Sequence, residues 1–144
     1  MLSVGRLEKK KNTAQLIAAF DFFRTEMPDS SHMLVLAGKP GHGYEDVLRA
    51  YESSPFQKDI ALLGWVPDAD VIPLMQNASI FLFPSQSEGF GLPLLEAFAA
   101  RVPVIASSIP ALREVGGDAP LFVDPHSPSR ISCGSYSTEQ LLRR

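Results

Sequence analysis

The sequence has almost none of the features that mark disulfide-rich, membrane-spanning or nucleic-acid-binding proteins. Its single cysteine, Cys133, permits no internal disulfide and has no metal-binding partner at a recognisable spacing. No apolar run approaches the roughly 20 residues that a transmembrane helix needs, and no secretory signal is recognisable. The net charge of −3 argues against nucleic acid as a partner, because such binding normally uses a basic face. We therefore expect a cytoplasmic protein without a transmembrane segment.

The sequence also lacks a G-x-G-x-x-G motif after its first strand-like segment, which disfavours an NAD-dependent dehydrogenase. It shows no internal repeat and no low-complexity linker. The 144 residues, 45% of them hydrophobic and 20% charged, are enough for one domain with its own core.

Strand-like and helical patterns alternate along the chain. The strand-like runs are Leu2–Gly5, Met33–Ala37, Ile60–Leu63, Ser79–Phe83, Val104–Ala106 and Leu121–Val123. The helical patterns are Thr13–Glu26, Tyr44–Tyr51, Val71–Met75, Pro93–Ala100 and Ala111–Val115. This alternation with tight connections predicts an α/β fold, a Rossmann-like doubly wound parallel sheet covered on both faces. Ligands of such sheets bind beyond the carboxyl ends of the strands.

The segment Pro84–Phe98 carries the strongest functional signal. Seven residues separate its two carboxylates, Glu88 and Glu96, and a glycine-rich turn and the start of a helix lie between them. Gly89 and Gly91 can take positive φ and let a ligand approach the backbone. Because the free N–H groups of a helix N-terminus favour a phosphate, the segment predicts a ligand with phosphate and hydroxyl groups, such as a sugar nucleotide. The alternatives are that Glu96 stabilises its helix or pairs with an arginine, and that Glu88 is exposed and idle.

This segment resembles the E-x7-E motif of retaining, GT-B-fold glycosyltransferases of the group 1 or family 4 type, which include bacterial mannosyltransferases and sucrose and glycogen synthases. Further stretches resemble landmarks of that family in the same order, and together they span about residues 3 to 126. They are Val4–Asn12, Val35–Gly38, Leu63–Pro67, Pro103–Ser107 and Glu114–Ala119.

The resemblance implies that the chain is one half of a GT-B fold, its C-terminal donor-binding domain. Residues 1–126 would form the nucleotide-sugar-binding domain, with its first strand truncated at the start, and residues 127–144 an abbreviated helical tail. Within that tail, Ser137–Arg144 is compatible with a short capped helix. The N-terminal Rossmann-like domain that carries the acceptor site would be absent, and that domain would make any peripheral contact with a membrane.

The resemblance also implies roles for individual residues. Arg6 and Lys11 would grip the donor diphosphate, Glu88 would contact the donor sugar, and these three form the catalytic set. Glu96 would accept hydrogen bonds from the ribose. The full donor-binding set is Arg6, Lys11, Gly38, Trp65, Ser85, Glu88, Gly89, Phe90, Gly91, Leu92 and Glu96. Two cations and the amides near Phe90 would stabilise the departing diphosphate without a metal.

Several of these assignments have competitors. Arg6 could instead pair with Glu8, Lys9 and Lys10 compete with Lys11, and a tryptophan after a strand is often partly buried core. Two positions depart from the family pattern. Arg101 stands where a glycine usually closes the helix, so a positive φ there would cost roughly 1 kcal/mol, and Arg113 stands where many members have a small residue or proline.

The sequence therefore predicts the donor-binding domain of a retaining, metal-independent hexosyltransferase that uses a nucleotide-diphosphate sugar. GDP-mannose is the favoured donor and UDP-glucose the next. The alternative is a non-catalytic nucleotide-binding module or an inactive truncated fragment.

Overall fold

A single parallel sheet of six strands organises the chain. The computed structural model describes residues 1–132, so Cys133 and the predicted helix Ser137–Arg144 lie outside the described residues. The strands are β1 (Leu2–Val4), β2 (Leu34–Ala37), β3 (Ile60–Gly64), β4 (Phe81–Phe83), β5 (Val104–Ser107) and β6 (Leu121–Val123). Their order across the sheet is β3-β2-β1-β4-β5-β6, and every neighbouring pair is parallel. The predicted doubly wound α/β fold is confirmed.

Helices connect the strands and cover the sheet. They are α1 (Thr13–Glu26), α2 (Tyr44–Ser53), α3 (Asp68–Gln76), α4 (Leu92–Ala99) and α5 (Pro110–Gly116). Short 3₁₀ turns occupy Lys9–Lys11 and Gln57–Asp59, and residues 128–132 are helical. Among the residues described, no helix is both long enough and apolar enough to cross a bilayer.

Two buried clusters fill the space on either side of the sheet. One includes Phe20 and Phe23 of α1 together with Leu82, and the other includes Leu94 of α4 together with Phe81. Successive residues of a strand point to opposite faces, so β4 supplies both clusters, and all three of its residues are buried. The strand predicted over Ser79–Phe83 is therefore present, with the shorter bounds Phe81–Phe83.

The strand order reverses between β1 and β4, which lie side by side at the centre of the sheet. The chain builds β1, β2 and β3 outward on one side and then returns to β4 on the other. A parallel sheet opens a crevice beyond the carboxyl ends of the strands at such a switch point. The loops after β1 and after β4 therefore meet there, although they are far apart in sequence.

Close packing fixes the loops that follow β1 and β2. Gly38 has a φ of 155°, and a Cβ atom at this position would lie 1.8 Å from the carbonyl oxygen of Gly5. The N–H of Leu7 donates to the Lys39 carbonyl at 2.9 Å, and the N–H of Gly41 donates to the Leu7 carbonyl at 3.0 Å. Only glycine fits at residue 38, because the loops after β1 and β2 pack directly against each other there. This packing fixes the backbone of the loop after β1.

Arg101, which follows α4, has a φ of 58°. The sequence raised this possibility because the family that it resembles usually has a glycine here. The structure keeps the left-handed turn and places an arginine in it, with the strain that a Cβ atom brings in that region.

Candidate functional site

Lys11 and Glu88 form an ion pair at the centre of the carboxyl edge, with 2.5 Å between Nζ and Oε1. The two residues are 77 positions apart, and the neighbouring strands β1 and β4 bring their loops together. The Glu88 side chain is only 8% exposed, so it is not the idle surface group that the sequence left open. Lys9 and Lys10 are exposed, which makes Lys11 the lysine of this run that enters the site. The ammonium also lies 5.5 Å from the ring centre of Phe83.

The N-terminus of α4 follows Glu88 closely in sequence and has no side-chain cap. Gly91 is its N-cap with a φ of 79°, and a Cβ atom there would lie 2.7 Å from Leu112 Cδ2. Within residues 1–132, the N–H groups of Phe90, Gly91 and Leu92 have no hydrogen-bond acceptor. Free N–H groups at the positive end of a helix favour an anion.

The glycines of this turn differ from each other. The sequence suggested positive φ for both, but Gly91 adopts it and Gly89 does not. A Cβ atom at Gly89 would meet no atom within 4 Å, so packing does not require a glycine there. The open space beside Gly89 is available to a ligand.

Two serines with buried hydroxyl groups lie at the carboxyl ends of β4 and β5. Ser85 follows β4 and Ser107 ends β5, and both are fully buried. Neither Oγ has a hydrogen-bond partner within the described part of the chain. A buried, unpaired hydroxyl costs about 1–3 kcal/mol, and a ligand oxygen reaching either one would remove that cost. The sequence predicted a role for Ser85 and assigned none to Ser107, although Ser107 ends the family-like stretch Pro103–Ser107.

A cleft of about 290 Å³ lies beside this centre, between the loops after β1, β2 and β3. Its lining includes Arg6, Gly38, Lys39, Trp65 and Asp68. Trp65 is 62% exposed, which overturns the alternative that it belongs to the core. Lys39 Nζ lies 5.4 Å from the centre of the indole ring, an arrangement that the sequence reasoning did not predict. An exposed indole at a cleft mouth offers a flat face to an aromatic ligand group.

Arg6 is exposed and forms no ion pair within residues 1–132. Glu8, which the sequence offered as an alternative partner for Arg6, instead packs over Gly41. A Cβ atom at Gly41 would lie 2.8 Å from the Glu8 Cβ. The guanidinium is therefore available at the cleft, although the structure does not bring it into contact with the Lys11–Glu88 pair.

Glu96 is exposed on the fifth residue of α4. It lies beyond the first helical turn, and the described residues offer it no arginine partner. Neither stabilisation of the helix N-terminus nor pairing with an arginine therefore accounts for its position. Around it the surface is apolar, since Phe90, Leu92 and Leu95 are all exposed.

Among the described residues, two charged groups perturbed by burial lie away from this site. Burial lowers the pKa of the Met1 amino group, which is near the amino edge of the sheet. Burial also raises the pKa of Asp21 on α1, against the opposing effect of a hydrogen bond from Ser54. In residues 1–132, no three histidine, cysteine or acidic side chains are grouped closely enough to hold a metal ion. Metal independence stays a prediction.

Comparison with known proteins identifies the family. The model described as glycosyl transferases group 1 matches residues 1–134. O-antigen chain mannosyltransferase B of Escherichia coli is 37% identical over 131 residues, covering 91% of this chain and 34% of that protein. The phosphatidyl-myo-inositol mannosyltransferase of Mycolicibacterium smegmatis is 34% identical over 120 residues, covering 82% of this chain and 30% of that protein. The chain thus spans about a third of the length of these relatives.

Solved structures show the same fold. A glycosyltransferase from Rickettsia africae superposes with a TM-score of 0.84 at 20% identity, covering 98% of this chain and 37% of that chain. An Anabaena protein solved in complex with UDP superposes with a TM-score of 0.79 at 19% identity, covering 99% of this chain and 38% of that chain.

Proposed function

The chain belongs to the group 1 glycosyl transferases, and from this premise we propose that it is the donor-binding domain of a hexosyltransferase that uses a nucleotide-diphosphate sugar. The observation that carries the proposal is the Lys11–Glu88 pair beside the free N-terminus of α4. A cation and free N–H groups suit a diphosphate, and the carboxylate paired with that cation suits sugar hydroxyls. No single segment of the chain contains this combination.

The transfer step develops negative charge on the departing diphosphate. We propose that Lys11, Arg6 and the amides of residues 90–92 stabilise this charge, because donors already aimed at the developing charge need no rearrangement. Arg6 is exposed at the adjoining cleft and can reach a phosphate with its forked guanidinium. Retention of configuration and independence from metal belong to the same proposal.

The nucleoside is proposed to occupy the cleft beside the phosphate position. The indole of Trp65 offers a stacking face for the base, and Gly38 lines the cleft where the loop after β2 packs against the loop after β1. Glu96 is assigned to the ribose hydroxyls, since its exposed carboxylate lies on the helix whose N-terminus would hold the phosphates. GDP-mannose is the favoured donor because the curated relatives at 37% and 34% identity are mannosyltransferases; UDP-glucose is the second.

Calorimetric titration of the chain with GDP, UDP and ADP and with their sugar conjugates tests this function. We expect one nucleotide to bind selectively and Glu96→Ala to weaken it by about 1.5–3 kcal/mol, the value of hydrogen bonds to a charged group. Glu52→Ala is the matched control, because Glu52 is also an exposed helical glutamate but lies on α2. Unfolding of the Glu96→Ala chain would show that Glu96 is structural and would contradict its assignment.

A nucleotide-binding module without transfer activity is the alternative. The relatives are about three times as long as the matched region, and we propose that the acceptor site and a second Rossmann-like domain lie in the part of such proteins outside the match. Slow release of GDP from GDP-mannose by the chain, abolished by Glu88→Ala, would favour a catalytic domain. Nucleotide binding without any such release would favour the module.

A further inference from the structure

Asn12 is a buried polar residue that the proposed chemistry does not use. It is 3% exposed and has a φ of 62°, in the left-handed region that asparagine tolerates better than most residues. It is the N-cap of α1, where an asparagine side chain usually accepts a hydrogen bond from the first helical turn. Here the side chain makes no such bond, so its polar groups serve contacts elsewhere.

Those contacts reach two distant segments. Asn12 Nδ2 donates to the Pro125 carbonyl at 2.5 Å, across 113 positions of sequence. Asn12 Oδ1 accepts a hydrogen bond from Gln86 Nε2 at 3.1 Å. The backbone N–H of Gln86 adds a bond to the Lys10 carbonyl at 2.9 Å. One buried amide therefore joins the loop after β1, the loop after β4 and the segment after β6.

The residues so joined flank the ion pair. Asn12 directly follows Lys11, and Gln86 lies two positions before Glu88. The side-chain bond between Gln86 and Asn12 and the backbone bond from Gln86 to Lys10 hold the loops after β1 and β4 together. Little freedom therefore remains in the distance between the Lys11 ammonium and the Glu88 carboxylate. We propose that Asn12 is a positioning residue: by bonding Gln86 and Pro125, it sets the geometry of the Lys11–Glu88 pair in the donor site.

The role of that pair rests on the proposed function, but its geometry can be tested without a ligand. The test is thermal unfolding of the parent chain, Lys11→Met, Glu88→Gln and the double variant, repeated in chains that also carry Asn12→Gly. Glycine keeps the left-handed backbone and removes only the side-chain links. We expect the double variant to lose less than the sum of the single losses in the parent, because both single changes break one pair. With Asn12→Gly this non-additivity should become smaller, because the side-chain links are lost while the backbone bond from Gln86 to Lys10 remains.

Each outcome decides the inference. Equal non-additivity with and without Asn12→Gly would show that Asn12 contributes to stability only, and additive losses in the parent would show that no pair exists to be positioned. Gln86→Ala is the milder second variant, since it removes one link and leaves the backbone bond. Asn77→Gly is the matched control, because Asn77 is an exposed asparagine whose side chain bonds within its own helix end at Pro73.

A nucleotide titration distinguishes this inference from the proposed function. If the parent binds GDP or UDP, Asn12→Gly should weaken that binding severalfold, and should have no further effect in a Lys11→Met background. If Asn12→Gly weakens binding equally in both backgrounds, it does not act through Lys11, which overturns the inference. If the parent binds neither nucleotide, the proposed function fails while the unfolding cycles still decide the role of Asn12.

Discussion

At the scale of single residues, the Lys11 ammonium that we propose binds a diphosphate is already ion-paired with Glu88. A diphosphate that binds Lys11 must compete with Glu88, which lies 2.5 Å away and is mostly buried. We therefore predict that Glu88→Gln tightens binding of GDP by about two- to fivefold, equivalent to about 0.5–1 kcal/mol for a partly exposed pair. The affinity for GDP-mannose should increase less, because the variant also removes the Glu88 carboxylate that we propose contacts the sugar. Calorimetry at low salt measures both affinities.

The control for this prediction is Asp59→Asn. Asp59 is also ion-paired, to Arg24 at 2.6 Å, but it precedes β3 at the opposite edge of the sheet. This variant should leave both affinities unchanged. Weaker GDP binding by Glu88→Gln would mean that the carboxylate supports the phosphate site instead of competing for it.

The residue types of the site were predictable from sequence, but their contacts were not. The E-x7-E segment indicates a ligand with phosphate and hydroxyl groups, and the family resemblance assigns Lys11 to the phosphates. The choice of Lys11 over its neighbours needs the fold, because it depends on β1 and β4 being adjacent. Asn12 was missed for a related reason: an asparagine before a helix predicts a local cap, whereas its side chain bonds residues far away in sequence.

At the scale of secondary-structure elements, the end of α4 offers a direct test of backbone strain. Arg101 has a φ of 58°, where a Cβ atom costs about 1–2 kcal/mol and glycine has no such penalty. Part of that gain is lost to the greater freedom of glycine in the unfolded chain. We predict that Arg101→Gly raises the free energy of unfolding by about 0.5–1 kcal/mol. Chemical denaturation measures the change.

Ala99→Gly is the control for that substitution. Ala99 is the last residue of α4 and has helical geometry, so a glycine there should destabilise the chain, by up to about 1 kcal/mol. A higher free energy of unfolding for Arg101→Gly and a lower one for Ala99→Gly would identify relief of strain as the cause. A loss of stability in Arg101→Gly would show that the arginine side chain contributes more than its backbone conformation costs.

Elements with a strong apolar pattern were predicted best. α1 has the bounds that its periodicity gave, because its buried residues recur at helical spacing. The predicted third helix, Val71–Met75, extends to Asp68–Gln76 in the structure. Its first turn carries Asp68 and Asp70, which stabilise a helix N-terminus by charge and leave no apolar signal. Periodicity therefore detects the packed part of a helix and misses its solvated turn.

At the scale of the whole molecule, Asp21 links helix packing to the pH dependence of stability. It lies on α1 and accepts a hydrogen bond of 2.5 Å from the Ser54 hydroxyl, which follows α2. Burial raises the pKa of Asp21, and the Ser54 bond only partly offsets this. The native chain thus holds the proton more tightly than the unfolded chain does. Stability should fall as pH rises from about 4 through the raised native pKa.

Asp21→Asn isolates this contribution. An asparagine keeps an oxygen for the Ser54 hydroxyl and removes the buried charge, so the variant should unfold at a higher temperature than the parent at pH 7. The difference should shrink toward pH 3, because Asp21 is then protonated in both states. Asp29→Asn, at an exposed aspartate in the loop after α1, should show no such trend. A constant difference between the Asp21→Asn and parent chains at all pH values would mean that packing between the helices, and not the buried charge, sets the effect.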